Sequence, residues 1–133
     1  MEALVGLVAR HAVDKVAAHR IGHEHRAVRL AKDYLETIPG ENVSLDTLAH
    51  AAGIGPYHLC RVFRQETGLA PHAYQVQVRV RLAKTLLAQG LPISQAAAEA
   101  GFTDQAHFTR HFKRMFGVTP GRYLGSSLPH ASQ

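Results

Sequence analysis

Two pairs of histidines have a spacing that suits a metal ion. His19 and His23 are four residues apart, as are His107 and His111, so each pair would present two imidazoles on one face of a helix. The sequence indicates no third ligand for either pair, and its single cysteine excludes an internal disulfide. We therefore predict no metal site and no cofactor, with these histidines in solvent or against phosphate groups.

Covalent catalysis has one candidate pair, with Cys60 as the nucleophile and His58 as the base. Side chains one or two positions apart on a helix do not face each other, so His58 is poorly placed to activate the thiol. We predict that the chain is not an enzyme, and that Cys60 is a small side chain that is half-buried or faces a groove.

Charge is the third chemical feature, and it is unevenly distributed along the chain. The 133 residues carry a formal charge of +5. Residues 1–52 hold six basic and seven acidic side chains, whereas residues 53–133 hold nine basic and three acidic ones. A basic half of this kind attracts polyanions such as nucleic acids, although a merely solubilising surface has a similar composition.

An internal repeat gives the chain its organisation. The segment VSLDTLAHAAGIGPYHLCRVFRQETGLAPHAY, residues 43–74, matches PISQAAAEAGFTDQAHFTRHFKRMFGVTPGRY, residues 92–123. The offset between matching residues grows from 48 to 49 in the middle, so the second copy has one more residue in its turn. Two copies in register favour a helix-turn-helix in each, whereas one copy alone would fit a generic pair of helices equally well.

Each copy carries local signals of two tightly joined helices. Ser44 and Ser94 are predicted N-caps, because a serine hydroxyl accepts a hydrogen bond from a free amide at a helix start. Gly53 and Gly101 each stand four residues after a small alanine and can adopt the positive φ angle that a tight turn requires.

The rest of the chain is also predicted to be helical, which makes the fold all-α. Apolar residues recur at helical spacing over Ala27–Ile38, and Pro39-Gly40 ends that helix. Val76–Leu82 alternates like a strand, but a lone strand would have no partner, and its apolar residues also fit a helical stripe. We predict a first helix-turn-helix at about 44–67, a linker helix at about 71–89 and a second helix-turn-helix at about 93–116.

Helical periodicity separates an inner and an outer side on the second helix of each copy. In the first copy the inner side is predicted to hold Leu59, Val62, Phe63 and Glu66, and the outer side Tyr57, Cys60, Arg61 and Arg64. In the second copy the inner residues are Phe108, Phe112 and Met115, and the outer ones Ala106, Thr109, Arg110 and Lys113. Each outer side has a central arginine followed three residues later by a second cation. This pattern suits a major groove, where arginine pairs with guanine and a neighbouring cation meets phosphate.

The length of the predicted linker helix can be compared with the spacing of major-groove faces on DNA. Nineteen residues extend roughly 28 Å at about 1.5 Å per residue, which is close to the ~34 Å between successive major-groove faces. We therefore predict that one chain reads two adjacent groove segments, in an asymmetric site of about two helical turns.

The chain resembles the DNA-binding domain of the AraC/XylS family of bacterial transcription activators. The resemblance rests on LAHAAGIGPYHLCRVFRQETGLAPHAY and ISQAAAEAGFTDQAHFTRHFKRMFGVTPGRY, and it covers about residues 25–124. It implies two helix-turn-helix subdomains joined by a long central helix, promoter DNA as the ligand and RNA polymerase as a partner. It also implies recognition helices that begin near Gly55 and Asp104. The base-facing candidates carried over are Tyr57, Cys60, Arg61, Gln105, Ala106, Thr109 and Arg110, and the predicted phosphate contacts are Ser44, Arg64 and Lys113.

Some positions depart from the family pattern. Cys60 replaces a longer polar side chain, Ala106 offers only a methyl group, and PGRYL replaces the more usual Pro-x-x-Tyr-Arg ending. Because Gln105 and Thr109 give the second copy more hydrogen-bonding capacity than the first, we expect the two copies to contribute unequally to DNA binding.

The resemblance also sets expectations for the rest of the protein. Residues 1–24 are interpreted as a helical segment or linker from an effector-binding or dimerisation domain outside this chain, and residues 125–133 as a flexible tail. The sequence has no convincing signal peptide and no apolar run near the roughly 20 residues that span a bilayer. We expect a cytoplasmic, nucleoid-associated activator with no membrane partner. The main alternative is a helical module that binds an acidic protein, and the salt dependence of binding to DNA distinguishes the two.

Overall fold

Every regular element in the described part of the chain is an α-helix. The structure, a computed structural model, describes residues 2–127, with side chains from residue 14 to residue 125. The helices are α1 (Glu2–Thr37), α2 (Leu45–Ala52), α3 (Pro56–Thr67), α4 (Pro71–Ala88), α5 (Ile93–Glu99), α6 (Gln105–Phe116) and α7 (Pro120–Ser127). The all-α prediction is confirmed, and the alternating stretch Val76–Leu82 lies within α4. Most of the predicted tail, residues 128–133, lies outside the described residues.

The chain divides into two compact units. The first unit comprises the chain up to Tyr34 together with Ser44–Ala70, and it holds most of α1 with α2 and α3. The second comprises Leu35–Val43 and the chain from Pro71 onward, and it holds α4, α5, α6 and α7. Each copy of the repeat therefore supplies one helix pair to its own unit. Among residues 2–127, no helix is both long enough and apolar enough to cross a lipid bilayer.

Each unit buries its own apolar core. In the first unit the buried residues are Ala27, Val28, Ala31, Leu48, Ala49, Ala52, Leu59, Val62 and Phe63. In the second, one packed cluster contains Val80, Ala83, Leu87, Ala96, Ala97, Ala100, Phe102, Phe108 and Phe112. The matched alanines Ala49 and Ala97 are both buried, as expected where two helices approach closely. The helical stripe predicted for the linker is confirmed, because Val80, Ala83 and Leu87 all face the core.

A buried arginine fastens residues 39–42 to α4 within the second unit. Arg79 donates from Nε to the carbonyl oxygen of Pro39 at 2.6 Å, and from a terminal nitrogen to the carbonyl oxygen of Glu41 at 2.9 Å. Gln75, also buried, donates to the same Glu41 carbonyl at 2.7 Å, and the Tyr74 hydroxyl donates to the Glu36 carboxylate. Burial lowers the pKa of Arg79, but a guanidinium remains protonated in proteins. Backbone carbonyl dipoles thus satisfy this buried cation, as buried polar groups require.

Both helix-turn-helix turns contain the predicted left-handed glycine. Gly53 has a φ of 79° and Gly101 a φ of 98°. Three residues separate α2 from α3, at 53–55, and five separate α5 from α6, at 100–104. The longer turn in the second unit reflects the one-residue insertion seen in the repeat, together with an earlier end of α5.

The two predicted serine caps have different outcomes. Ser44 caps α2, and its hydroxyl accepts a hydrogen bond from the Thr47 amide at 3.1 Å. The prediction for Ser94 is wrong, because α5 begins at Ile93 with Pro92 in the cap position and no side-chain cap. Ser94 therefore lies inside the first turn, two residues after the cap position, where its hydroxyl does not cap the helix.

This difference provides a matched test of capping. Ser44→Ala is expected to lower the free energy of unfolding by about 1 kcal/mol, because the Thr47 amide loses its acceptor. Ser94→Ala is expected to change it by less than about 0.5 kcal/mol, as for other exposed positions without a specific contact. Urea unfolding followed by circular dichroism measures both variants. Equal losses would show that the Ser44 hydroxyl contributes nothing particular to α2.

Candidate nucleic-acid interface

The helix α3 presents a mixed apolar and basic outer side. It begins after the cap residue Gly55 and ends at Gly68, and its inner side buries Leu59, Val62 and Phe63. We call Tyr57, Cys60, Arg61 and Arg64 the first outer face. On this face Tyr57 is 91% exposed, both arginines are exposed and Cys60 is half-buried. The predicted start of this helix near Gly55 is confirmed.

The interpretation of Glu66 as an inner residue is wrong. Its side chain is exposed at the edge of the inner side, and its carboxylate lies 3.1 Å from His25 Nδ1 on α1. A carboxylate placed in the apolar core would lose its hydration without a compensating partner, so it stays at the rim. There it joins α1 to α3, as does the contact of His58 Nε2 with Glu24 Oε1 at 3.2 Å.

The helix α6 repeats this arrangement with more polar side chains. Asp104 caps its start, because a carboxylate oxygen accepts from the His107 amide at 2.7 Å. Phe108 and Phe112 are buried as predicted, and Met115 is half-buried. We call Gln105, Ala106, Thr109, Arg110 and Lys113 the second outer face. All of these residues are exposed except Thr109, which is half-buried.

The cations of both outer faces are exposed to solvent. None of Arg61, Arg64, Arg110 and Lys113 forms an ion pair within residues 14–125. Their hydrogen-bond donors are therefore available to an external acceptor. A guanidinium at the centre of such a face can pair with the two acceptor atoms on guanine, and the cation one turn later can meet a phosphate.

The half-buried histidines in the first turns of α3 and α6 have packing partners that the sequence does not show. His58 and His107 occupy matching repeat positions, but the first lies against Glu24 and the second against His111. His58 and Glu24 are 34 residues apart in the chain, too far for any local sequence pattern to indicate the contact. His19 and His23 are both exposed on α1. Among the described side chains, no group of three or more potential ligands is arranged to hold a metal ion.

The predicted phosphate ligand Ser44 is exposed at the start of α2. Its hydroxyl is already engaged, since it accepts from the Thr47 amide and donates to the Thr47 hydroxyl at 2.8 Å. A phosphate at this helix start would therefore meet the remaining free backbone amides more readily than the serine side chain.

Comparison with known proteins gives consistent similarities. A family model described as a helix-turn-helix domain matches residues 48–126. The HTH-type transcriptional regulator GlxA of Rhizobium meliloti (strain 1021) is 37% identical over 106 residues, which are 79% of this chain and 33% of that protein. The chain spans about a third of the length of the first curated relatives that it matches.

Two solved structures share the fold. One is the crystal structure of a probable AraC family transcriptional regulator from Rhodopseudomonas palustris CGA009, with a TM-score of 0.70 and 29% identity, covering 77% of this chain and 98% of that one. The other is the DNA-binding domain of AdpA, a global transcriptional factor, in complex with a target DNA. It has a TM-score of 0.66 and 27% identity, covering 83% of this chain and 96% of that one.

Proposed function

Because the chain belongs to the AraC/XylS family of helix-turn-helix transcription regulators, we propose that it reads promoter DNA through the outer faces of α3 and α6. The observation that carries the proposal is the pair of exposed arginines at matched positions of the two faces, which form no ion pair with the described side chains and are each followed one turn later by a second cation. The complex of the AdpA domain with its target DNA supports the same kind of ligand for this chain.

The two outer faces suit different bases. Arg61 and Arg110 each pair with a guanine, since a guanidinium matches its O6 and N7 acceptors. Gln105 can pair with adenine, and the methyl group of Ala106 can contact thymine. Tyr57 and Cys60 give the first face a bulkier, less polar surface, so we propose that it recognises fewer hydrogen-bonding groups. Arg64, Lys113 and the start of α2 at Ser44 contact phosphates.

The finer role is that of an activator working within a longer protein. Curated relatives about three times as long as the matched stretch support an additional effector-binding or dimerisation domain. We propose RNA polymerase as the further partner of a DNA-bound regulator of this family. Reading is proposed to cover two adjacent major-groove segments of one duplex, one for each outer face. No catalytic step is part of this function.

Selection of bound duplexes from a random pool tests the proposal. We expect enrichment of an asymmetric site of about two helical turns, with conserved guanines in both halves. Affinity for the selected site should fall steeply between roughly 50 and 200 mM salt, because each phosphate contact releases a counterion. Random DNA should compete poorly. Absence of any enriched sequence, with equal binding to DNA and to another polyanion such as heparin, would contradict the proposal and favour a module for acidic partners.

A further inference from the structure

Two histidines are in direct contact on the first two turns of α6. The Nε2 atoms of His107 and His111 lie 3.1 Å apart, and the ring centroids are separated by 4.7 Å at an interplanar angle of 75°. Both rings also contact Phe102, at centroid distances of 5.5 and 6.2 Å. Phe102 belongs to the core cluster of the second unit and lies in the turn before α6. The histidine pair therefore links the start of α6 to the turn that orients it.

The contact between the rings requires at least one imidazole to be neutral, because one ring must offer a lone pair. A nitrogen-to-nitrogen hydrogen bond needs one N–H group and one lone pair, so one ring donates and the other accepts. Nδ1 of His107 is buried and has no hydrogen-bond partner. A buried N–H without an acceptor is rarer than an unpaired acceptor, which favours the proton on Nε2 of His107. His107 then donates to the lone pair of His111.

Protonation of His111 would leave an N–H group of this pair without an acceptor. A proton on its Nε2 would either place two N–H groups face to face or force the His107 proton onto Nδ1, which is buried with no hydrogen-bond partner. The surroundings add further basic groups, with His107, Arg110 and Arg114 on α6 and His72 on α4. Asp104, the acid that caps this helix, is engaged with the His107 amide. Burial, followed by these basic neighbours, lowers the pKa of His111.

The matching position in the first unit has the opposite chemistry. His58 Nε2 lies 3.2 Å from the Glu24 carboxylate, and His25 lies 3.1 Å from Glu66. Arg20 lies 4.0 Å from the same Glu24 carboxylate. Protonation of either histidine creates an ion pair between α1 and α3, whereas protonation in the second unit removes a contact.

From this geometry we infer that His107 and His111 are positioning residues that hold the second outer face in its reading arrangement only while both rings are neutral. Acidification then weakens sequence reading by the second unit and leaves reading by the first unit unchanged or stronger. The inference rests on the proposed function, because the measured consequence is a change in DNA recognition. A free-protein measurement also tests it independently.

The direction of the pH dependence follows from linkage. A histidine whose pKa is lowered by folding contributes its full stabilisation above the ordinary histidine value of about 6.5. That contribution is lost as the pH falls from there towards the lowered value in the folded protein. The pair is therefore expected to be intact at neutral pH and to open under mild acid.

The DNA experiment compares the selected duplex with one whose second half is scrambled. Acid adds positive charge to the whole chain and raises its affinity for any DNA, so the ratio of the two affinities is the informative quantity. Between about pH 7.5 and pH 5.5 this ratio should fall roughly three- to tenfold, the effect of losing one hydrogen bond. Scrambling the first half instead should give a ratio that does not fall.

Two variants distinguish the effect of the His107–His111 pair from the effect of a neighbouring histidine. His111→Gln keeps an acceptor for the His107 N–H but cannot be protonated. The ratio of its affinities for the selected and the scrambled duplex should therefore equal that of the wild type near pH 7.5 and should not change in acid. His72→Gln removes a nearby histidine outside the pair and should retain the wild-type fall. A His111→Gln profile that follows the wild-type curve would overturn the inference.

The free protein provides the second readout. Imidazole resonances of the wild-type chain, followed by NMR during an acid titration, should show His111 titrating below the ordinary histidine range. Amide exchange across residues 105–111 should accelerate over the same interval. Titration of His111 at or above the ordinary value, or unchanged exchange, would contradict the inference even if no DNA site had been found. Failure to select any duplex near pH 7.5 would instead count against the proposed function.

Discussion

Gly101→Ala is expected to destabilise the second unit by roughly 2–5 kcal/mol, whereas Gly53→Ala costs the first unit only about 1–2 kcal/mol. Both glycines have left-handed backbone angles, with φ of 98° and 79°. An L-residue in this region loses about 1–2 kcal/mol, so that part of the cost is common to both variants. The remaining difference comes from the space around each position.

A side chain at Gly101 would collide with its surroundings. An added Cβ would lie 2.9 Å from the Cα of Gly40, 3.1 Å from the Gly40 carbonyl oxygen and 3.0 Å from Arg79 Nε. Two of these atoms belong to the backbone and cannot rotate away, and the third belongs to the arginine that binds residues 39–42. Relieving the overlap would cost about 1–3 kcal/mol more, as in other overpacked cores. Around Gly53 an added Cβ meets nothing within 4 Å.

Hydrogen exchange of the folded protein measures both effects in one experiment, because it reports opening of each unit separately. In Gly101→Ala, amides of α4, α5 and α6 should lose protection, and circular dichroism should show an earlier urea transition for that unit. In Gly53→Ala the smaller loss should appear in α2 and α3. Equal losses of amide protection in the two variants would mean that the close approach of Gly40 to Gly101 does not affect stability.

The sequence predicts the helix pairs because their signals are local. An apolar residue every three or four positions, a small residue at the crossing and a glycine in the turn lie within one copy of the repeat. The inner and outer sides of α3 and α6 follow from the same periodicity, which explains why Phe63 and Phe108 are buried and Arg61 and Arg110 are exposed. The exposed cations of the candidate site could be predicted for this reason.

Contacts between distant segments could not be predicted in this way. Arg79 is buried, and its acceptors include carbonyl oxygens about 40 residues earlier in the chain. In the sequence it looks like any exposed arginine of a helix. The contacts of His58 with Glu24 and of His25 with Glu66 bridge similar separations. The prediction for Ser94 fails for a local reason, since Pro92 takes the cap position and the helix begins two residues earlier than a Ser94 cap would require.

The double variant Arg61→Ala/Arg110→Ala is expected to lose most of its preference for the selected site. Each arginine should contribute about 1–3 kcal/mol of discrimination through its paired contacts with guanine. The two positions lie in different units, so their losses should add to roughly 2–6 kcal/mol, a 30-fold to more than 10,000-fold weaker binding. Affinity for random duplex sets the lower limit, because phosphate contacts by Arg64 and Lys113 remain.

The matched control removes the same charge away from the outer faces. Arg29 on α1 and Arg81 on α4 are exposed, one in each unit, and neither belongs to an outer face. Arg29→Ala/Arg81→Ala should weaken binding to selected and random duplexes by the same modest factor. Competition assays at one salt concentration measure the ratio directly. If both double variants lost the same factor for both duplexes, the arginines of the outer faces would act only through charge.

The two single variants should differ in how far they relax sequence specificity. This difference tests what each outer face contributes to recognition. Arg110 is flanked by Gln105 and Thr109, which can hold the second outer face in register on the bases after the guanidinium is removed. Arg61 has Tyr57 and Cys60 beside it and Arg64 is assigned to phosphate, so Arg61→Ala leaves the Tyr57 hydroxyl as the strongest hydrogen-bonding group among the base-facing residues of the first face. Repeating the selection with each variant should therefore relax all of the first half-site in Arg61→Ala, but only the guanine position of the second half-site in Arg110→Ala. The reverse pattern, or relaxation of a single position in both, would show that the more polar face does not provide the additional specificity.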